Sequence, residues 1–197
     1  YKGEKGDLDC SYYVLRENLA KAKIQFKEVP RMLKAFEHWF GPYPFYEDSY
    51  KLVEAPYLGM EHQSCVTYGN DFKNGYRGRD LSGTGWGMKF DFIIIHESGH
   101  EWFANNITYK DIADMWIHES FTNYSESLFV EYYYGKDAGF EYVRGIRKGI
   151  QNDIPIIGKH GVNQEGSGDM YNKGGNMLHT LRQIVNDDVK WRTILRG

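Results

Sequence analysis

The stretch IIIHESGHEWF, residues 93–103, sets two histidines, His96 and His100, four positions apart and puts a glutamate, Glu97, directly after the first. On a helix, residues i and i+4 lie about 40° apart around the axis, so both imidazoles stand on one face. Glu97 follows His96 by about 100°, close to that face but off the line joining the rings. Two imidazole nitrogens can hold a zinc ion there while the carboxylate reaches a water on the metal. The plainer alternative is a half-buried helix whose histidines find hydrogen-bond partners in a core.

A third ligand separates these readings. In MWIHESFTNYSE, residues 115–126, Glu119 follows His100 with eighteen residues between them. Two histidines and a glutamate, with water in the fourth position, make a catalytic zinc set, whereas closed structural sites lean on cysteine. His118 points about 100° away from Glu119 and is the weaker ligand candidate. Cys10 and Cys65 are isolated, with no C-x-x-C spacing, so they form neither a zinc set nor a disulfide framework and read as two small, partly buried thiols.

These residues need elements to carry them. The apolar run around the histidines predicts a helix from about Asp91 to Asn106. Ile117, Phe121, Leu128, Phe129 and Tyr132 continue a helical spacing that ends near Gly135, which puts Glu119 in the first turns of a second helix. Earlier in the chain, SYYVLREN reads as a strand end, and Leu19 to Phe40 as helix with a kink or break at Pro30. PYPFYEDSYKLVEAP reads as a turn and then a strand, and SCVTYG as a short strand. The glycine-rich RGRDLSGTGWG, residues 77–87, lacks both a preceding strand and a G-K-[ST] sequence, so it is a mobile loop rather than a phosphate cradle. Helices are expected over KDAGFEYVRGIRKGI, from about Asp169 to Asn186, and from Asp188. The pattern is α+β, mostly helical in its second half, with a small sheet in the first.

The spacing His96-Glu97-x-x-His100, eighteen residues, Glu119 resembles the zinc signature of the aminopeptidase N family of gluzincins, which includes the leukotriene hydrolase. HEWFANN and MWIHESFTNY agree with the family around the ligands at Trp102, Phe103, Asn105, Trp116 and Phe121, with Ala104 where glycine is usual. YLGMEHQ, residues 57–63, resembles the G-x-M-E-N exopeptidase motif, and MYNKGGNML, residues 170–178, the Y-x-K-G segment. The matches run from about Phe36 to Leu178.

This resemblance implies a thermolysin-like catalytic domain holding one zinc per chain on His96, His100 and Glu119. Glu97 would be the general base that takes a proton from the zinc-activated water, and Tyr171 the donor to the oxyanion. Glu61, with Gly59 and Met60, would bind substrate, Glu61 gripping the free α-amine of a peptide. Leu58, His62 and His118 depart from the family pattern at positions bearing on the first substrate pocket rather than on the metal. The expected activity is removal of N-terminal residues from peptides. An endopeptidase or another zinc hydrolase on the same site, and a catalytically silent peptide-binding module, are the alternatives.

Composition is compatible with this. At 197 residues and 41% hydrophobic content the chain can bury a sizeable core. A net charge of −3 gives no electrostatic footprint for nucleic acid. The apolar run FIII is far too short to span a membrane, and the first residues carry no signal-peptide pattern. The start YKGEKGDLDC, without methionine, and the end WRTILRG, in helical pattern, read as those of an excised catalytic domain, residues 1–197. The resembled family adds an all-β domain before it and a helical one after.

Overall fold

Two short hairpin strands, β1 (Lys2–Gly3) and β2 (Gly6–Asp7), open the chain in the computed structural model, which describes residues 1–197. A four-stranded sheet follows, made of β3 (Cys10–Tyr13), β4 (Tyr50–Glu54), β5 (Gly59–Met60) and β6 (Val66–Tyr68) in the order β3-β4-β6-β5. Its inner strand β4 alternates as a half-buried strand should, with Tyr50 and Leu52 in the core and Lys51 partly exposed. β3, β4 and β6 are parallel, and β5 runs antiparallel to β6 at the sheet edge. The fold is α+β, as the sequence implies, with helices through its second half.

The first helical segment divides into α1 (Leu19–Gln25) and α2 (Glu28–Phe40). Pro30 falls in the first turn of α2, where its missing N–H costs no helical bond, so the break comes before the proline rather than at it. α2 lays Phe36, Trp39 and Phe40 into the core, and Trp39 donates from Nε1 to the Leu128 carbonyl at 3.0 Å.

The histidine helix differs from expectation. α3 runs only from Phe92 to Gly99, capped by Asp91, whose side chain accepts from the N–H groups of Ile93 and Ile94. Residues 101–106 form a wider turn, with Asn105 N–H bonding the His100 carbonyl at 2.9 Å and non-helical backbone at Phe103 and Ala104. Wide turns of this kind are rare and recur at functional sites.

α4 (Trp116–Tyr134) and α5 (Lys136–Ile146) meet at Gly135, and α6 (Asp169–Val185) and α7 (Asp188–Arg196) close the chain. α4 is the central helix, buried from His118 to Val130 except at the half-buried Phe121. Its small polar residues let neighbours approach: a Cβ on Gly174 of α6 would meet the Ser120 Cβ at 2.5 Å. The segment expected to be a mobile loop, residues 77–87, is instead gathered around Asp80, which accepts hydrogen bonds from the Ser82 N–H and hydroxyl at 2.9 and 2.7 Å. Cys10 is partly buried and Cys65 is exposed, so the expected half-burial holds for Cys10 alone.

Candidate active site

α3 and α4 cross so that His96, His100 and Glu119 bring one donor atom each to within 4.8 Å of one another, all three buried. Nε2 of His96 lies 3.3 Å, and Nε2 of His100 3.4 Å, from Oε2 of Glu119. That oxygen has no hydrogen-bond partner, although it is buried.

The other ring nitrogens explain why. Nδ1 of His96 meets Oε1 of Glu126 at 2.8 Å, and Glu126 also accepts from the Tyr142 hydroxyl at 2.6 Å. Nδ1 of His100 meets the Phe103 carbonyl at 3.1 Å and the Thr122 hydroxyl at 3.0 Å. A carbonyl only accepts, so His100 carries its proton on Nδ1, and an ionised Glu126 fixes the same tautomer on His96. Both Nε2 lone pairs then face a carboxylate oxygen. Three acceptors converging in a buried space repel one another unless positive charge, a proton or a metal ion, stands between them, and two imidazoles with a carboxylate are a zinc donor set.

The converging carboxylates draw positive charge of any kind to the ring nitrogens, protons included. Burial works against a charged His96, but Glu119 and Glu126 outweigh it and hold the ring well above the ordinary histidine range. His100 is likewise raised, burial being overcome by Glu119. Burial would lift Glu119, yet the two imidazoles hold it well below the carboxylate range. The negative field aimed at the Nε2 atoms is the one a divalent cation would meet.

Glu97 is buried on the same helix, and burial lifts its carboxyl, with His96 and His100 opposing. Its carboxylate, that of Glu61 and a His100 nitrogen lie within 4.8 Å of one another. Glu61 directly follows β5. Gly59 in that strand backs onto Glu97: a Cβ there would sit 2.7 Å from Glu97 Oε1, so no larger residue fits without displacing it. Met60 is exposed beside it. Tyr171, in the first turn of α6, lies with its ring centroid 6.1 Å from that of His96, and burial together with the Glu119 charge pushes its phenol far above the usual range.

Seven of the eight residues singled out from sequence therefore surround one place, and Met60 stands exposed at its edge. His118 does not join the donor group; its ring stacks on Tyr109 with centroids 4.3 Å apart, and its Nε2 accepts from the Tyr109 N–H at 3.1 Å. Burial and the neighbouring His100 lower His118 to about 4, so it stays neutral. Sequence reasoning missed Glu126. Its signal was its place two turns after Glu119 on one helix, the same face of α4.

Residues 24–195 match the family model described as the peptidase family M1 domain. Endoplasmic reticulum aminopeptidase 1 of Mus musculus is 22% identical over 207 residues, covering 99% of this chain and 22% of the relative. Aminopeptidase N of Lactococcus lactis subsp. lactis is 30% identical over 110 residues, covering 49% of this chain and 13% of the relative. An M1 zinc metallopeptidase from Deinococcus radiodurans, solved with a Tyr-Ser-Ala substrate, superposes with a TM-score of 0.66 at 21% identity, over 95% of this chain and 39% of that one. The chain thus spans about a fifth of the length of the mouse relative. With the family model matched over most of its length and the same fold in the solved structure, the chain belongs to peptidase family M1.

Proposed function

We propose that this chain is the catalytic domain of a zinc-dependent aminopeptidase, with one zinc held by His96, His100 and Glu119. The observation that carries the proposal is the partnerless buried Oε2 of Glu119 facing the Nε2 atoms of His96 and His100. Zinc bound there would polarise a peptide carbonyl and lower the pKa of a water towards neutrality.

The chain's own groups supply the rest. Glu97, raised by burial, takes a proton on its carboxylate from the attacking water and passes it to the leaving nitrogen. Tyr171, kept protonated by burial and by Glu119, donates its phenolic hydrogen to the oxygen of the carbonyl under attack. Glu61 pairs with the substrate's α-ammonium, and Gly59 and Met60, on an edge strand with backbone groups unpaired on one side, align the peptide. The Deinococcus radiodurans protein is described with a short peptide substrate, Tyr-Ser-Ala, which supports a peptide in this cleft.

The relatives' greater length supports a longer protein in which other domains complete the cleft. Exposed apolar side chains on α6 and α7, among them Ile184, Val189 and Ile194, would be covered by such a domain.

Elemental analysis beside peptide assays tests the reading. One zinc per chain, lost in Glu119→Ala, with cleavage of free but not N-acetylated peptides, is expected. Equal cleavage of both would favour an endopeptidase, and zinc without any hydrolysis a silent peptide-binding module. Glu61→Ala should cost free-amine peptides about tenfold or more in kcat/KM, since a desolvated ion pair is at stake, and spare blocked ones.

A further inference from the structure

We propose that Glu101 and Asn105 are positioning residues that fasten the segment carrying Glu61 to the metal helix and so set how tightly a substrate's free α-amine is held. The proposal rests on the aminopeptidase reading for the amine, but the brace itself stands on separate observations.

Glu101 follows His100 directly and is fully buried, yet it does not belong to either group of converging donors around the metal site. Its carboxylate faces the other way, into three donors. The Tyr43 hydroxyl donates to Oε2 at 2.6 Å, and the Ser64 N–H donates to both oxygens at 2.9 and 3.2 Å. Asn105 Nδ2 donates to Oε1 at 3.2 Å and also to the Glu61 carbonyl at 2.9 Å. One amide group therefore touches both the buried carboxylate and the backbone of the amine-binding residue.

The segment needs such a tie. β5 pairs with β6 through Gly59 and Met60 only, and Glu61 to Cys65 lie beyond it. Within that stretch the chain turns on itself, with Cys65 N–H bonding the His62 carbonyl at 2.9 Å and Ser64 at a φ of +54°. Glu101 and Asn105 secure its two ends, Ser64 N–H and Glu61 C=O, to the wide turn that leaves α3 just after His100. The amine-binding carboxylate and the metal-binding imidazole thus share one rigid support. A carboxylate displaced from the amine grips it less tightly in the bound substrate and in the transition state alike, which raises KM and leaves kcat nearly unchanged.

Charge chemistry specifies the test. Glutamine at position 101 can keep the brace: its amide oxygen accepts from Ser64 and Asn105, and its NH2 donates to the Tyr43 hydroxyl, which accepts as readily as it donates. Aspartate at position 105 cannot, because it has no N–H for the Glu61 carbonyl.

Steady-state kinetics on a free-amine amino-acid anilide, with the zinc-loaded chain and its Asn105→Ala, Asn105→Asp and Glu101→Gln variants, read the amine grip. Amide hydrogen exchange over residues 61–65 reads the brace. In Asn105→Ala and Asn105→Asp, KM should rise about tenfold with kcat within about twofold, zinc content unchanged and exchange faster. Glu101→Gln should stay within about threefold of the parent in KM and keep its protection. Unchanged KM in the Asn105 variants overturns the proposal, as does a rise accompanied by zinc loss. A parent chain that binds zinc but cleaves no free-amine substrate would end the aminopeptidase reading instead. Exchange then decides the brace alone: unchanged protection in Asn105→Ala overturns it, and lost protection supports it.

Discussion

At the scale of single residues, the site depends on which ring nitrogen carries the proton. Glu126 and the Phe103 carbonyl accept hydrogen bonds from Nδ1 of His96 and His100 and so turn both Nε2 atoms towards Glu119. Glu126→Ala should therefore weaken zinc binding by about 10- to 100-fold, the usual consequence of losing an outer hydrogen-bond partner, read by competition with a chelator. Glu97→Gln should behave in the opposite way. Zinc content should stay at the parent level while kcat falls by about 10² to 10⁴, because the amide cannot accept the proton. Loss of zinc in Glu97→Gln would place Glu97 among the ligands rather than at the proton. The ligand spacing is legible in sequence because i, i+4 geometry is local. Glu126 is not, since nothing in its own neighbourhood states that α4 turns it towards His96.

At the scale of elements, two departures from regular pattern place the chemistry. The wide turn after His100 releases the Phe103 carbonyl to His100, a feature that a run of helix-compatible residues does not announce. The other is the close approach of α6 to α4. Gly174 faces Ser120, whose hydroxyl donates to the Met170 carbonyl at 2.8 Å, one residue before Tyr171. Gly174→Ala should force the helices apart, lowering stability by about 1 to 3 kcal/mol in urea unfolding. It should also lower kcat without removing zinc, since Tyr171 rides on the first turn of α6 while the proposed ligands lie on α3 and α4. Unchanged kcat in a destabilised variant would show that Tyr171 is held from elsewhere. In the sequence this glycine appears only as part of a motif; the structure gives it a steric reason.

At the scale of the whole molecule, buried carboxylates shape stability. Burial pushes Glu28 up to about 7, with Arg31 offsetting only part, and pushes Asp91 up to about 6. Between the unfolded carboxylate range, near 4, and these values, the folded chain holds protons that the unfolded chain releases. Their contribution is complete below that range and is lost as pH rises through about 6 and about 7. Glu28→Gln should thus lose less Tm than the parent between pH 5 and pH 8, at saturating zinc in both. An identical pH profile would mean that Glu28 is ionised in the folded state across this interval. The sequence by itself singled out the candidate metal ligands, the candidate base and the α+β class, because spacing along a helix and alternation along a strand are short-range properties of the chain. Only the tertiary structure decided that Glu119 lacks a partner, that Glu126 and Phe103 choose the tautomers, and that Glu101 and Asn105 reach the Glu61 segment. Those facts depend on how α3, α4 and the edge of the sheet cross, and crossing is fixed by core packing among residues far apart in the chain.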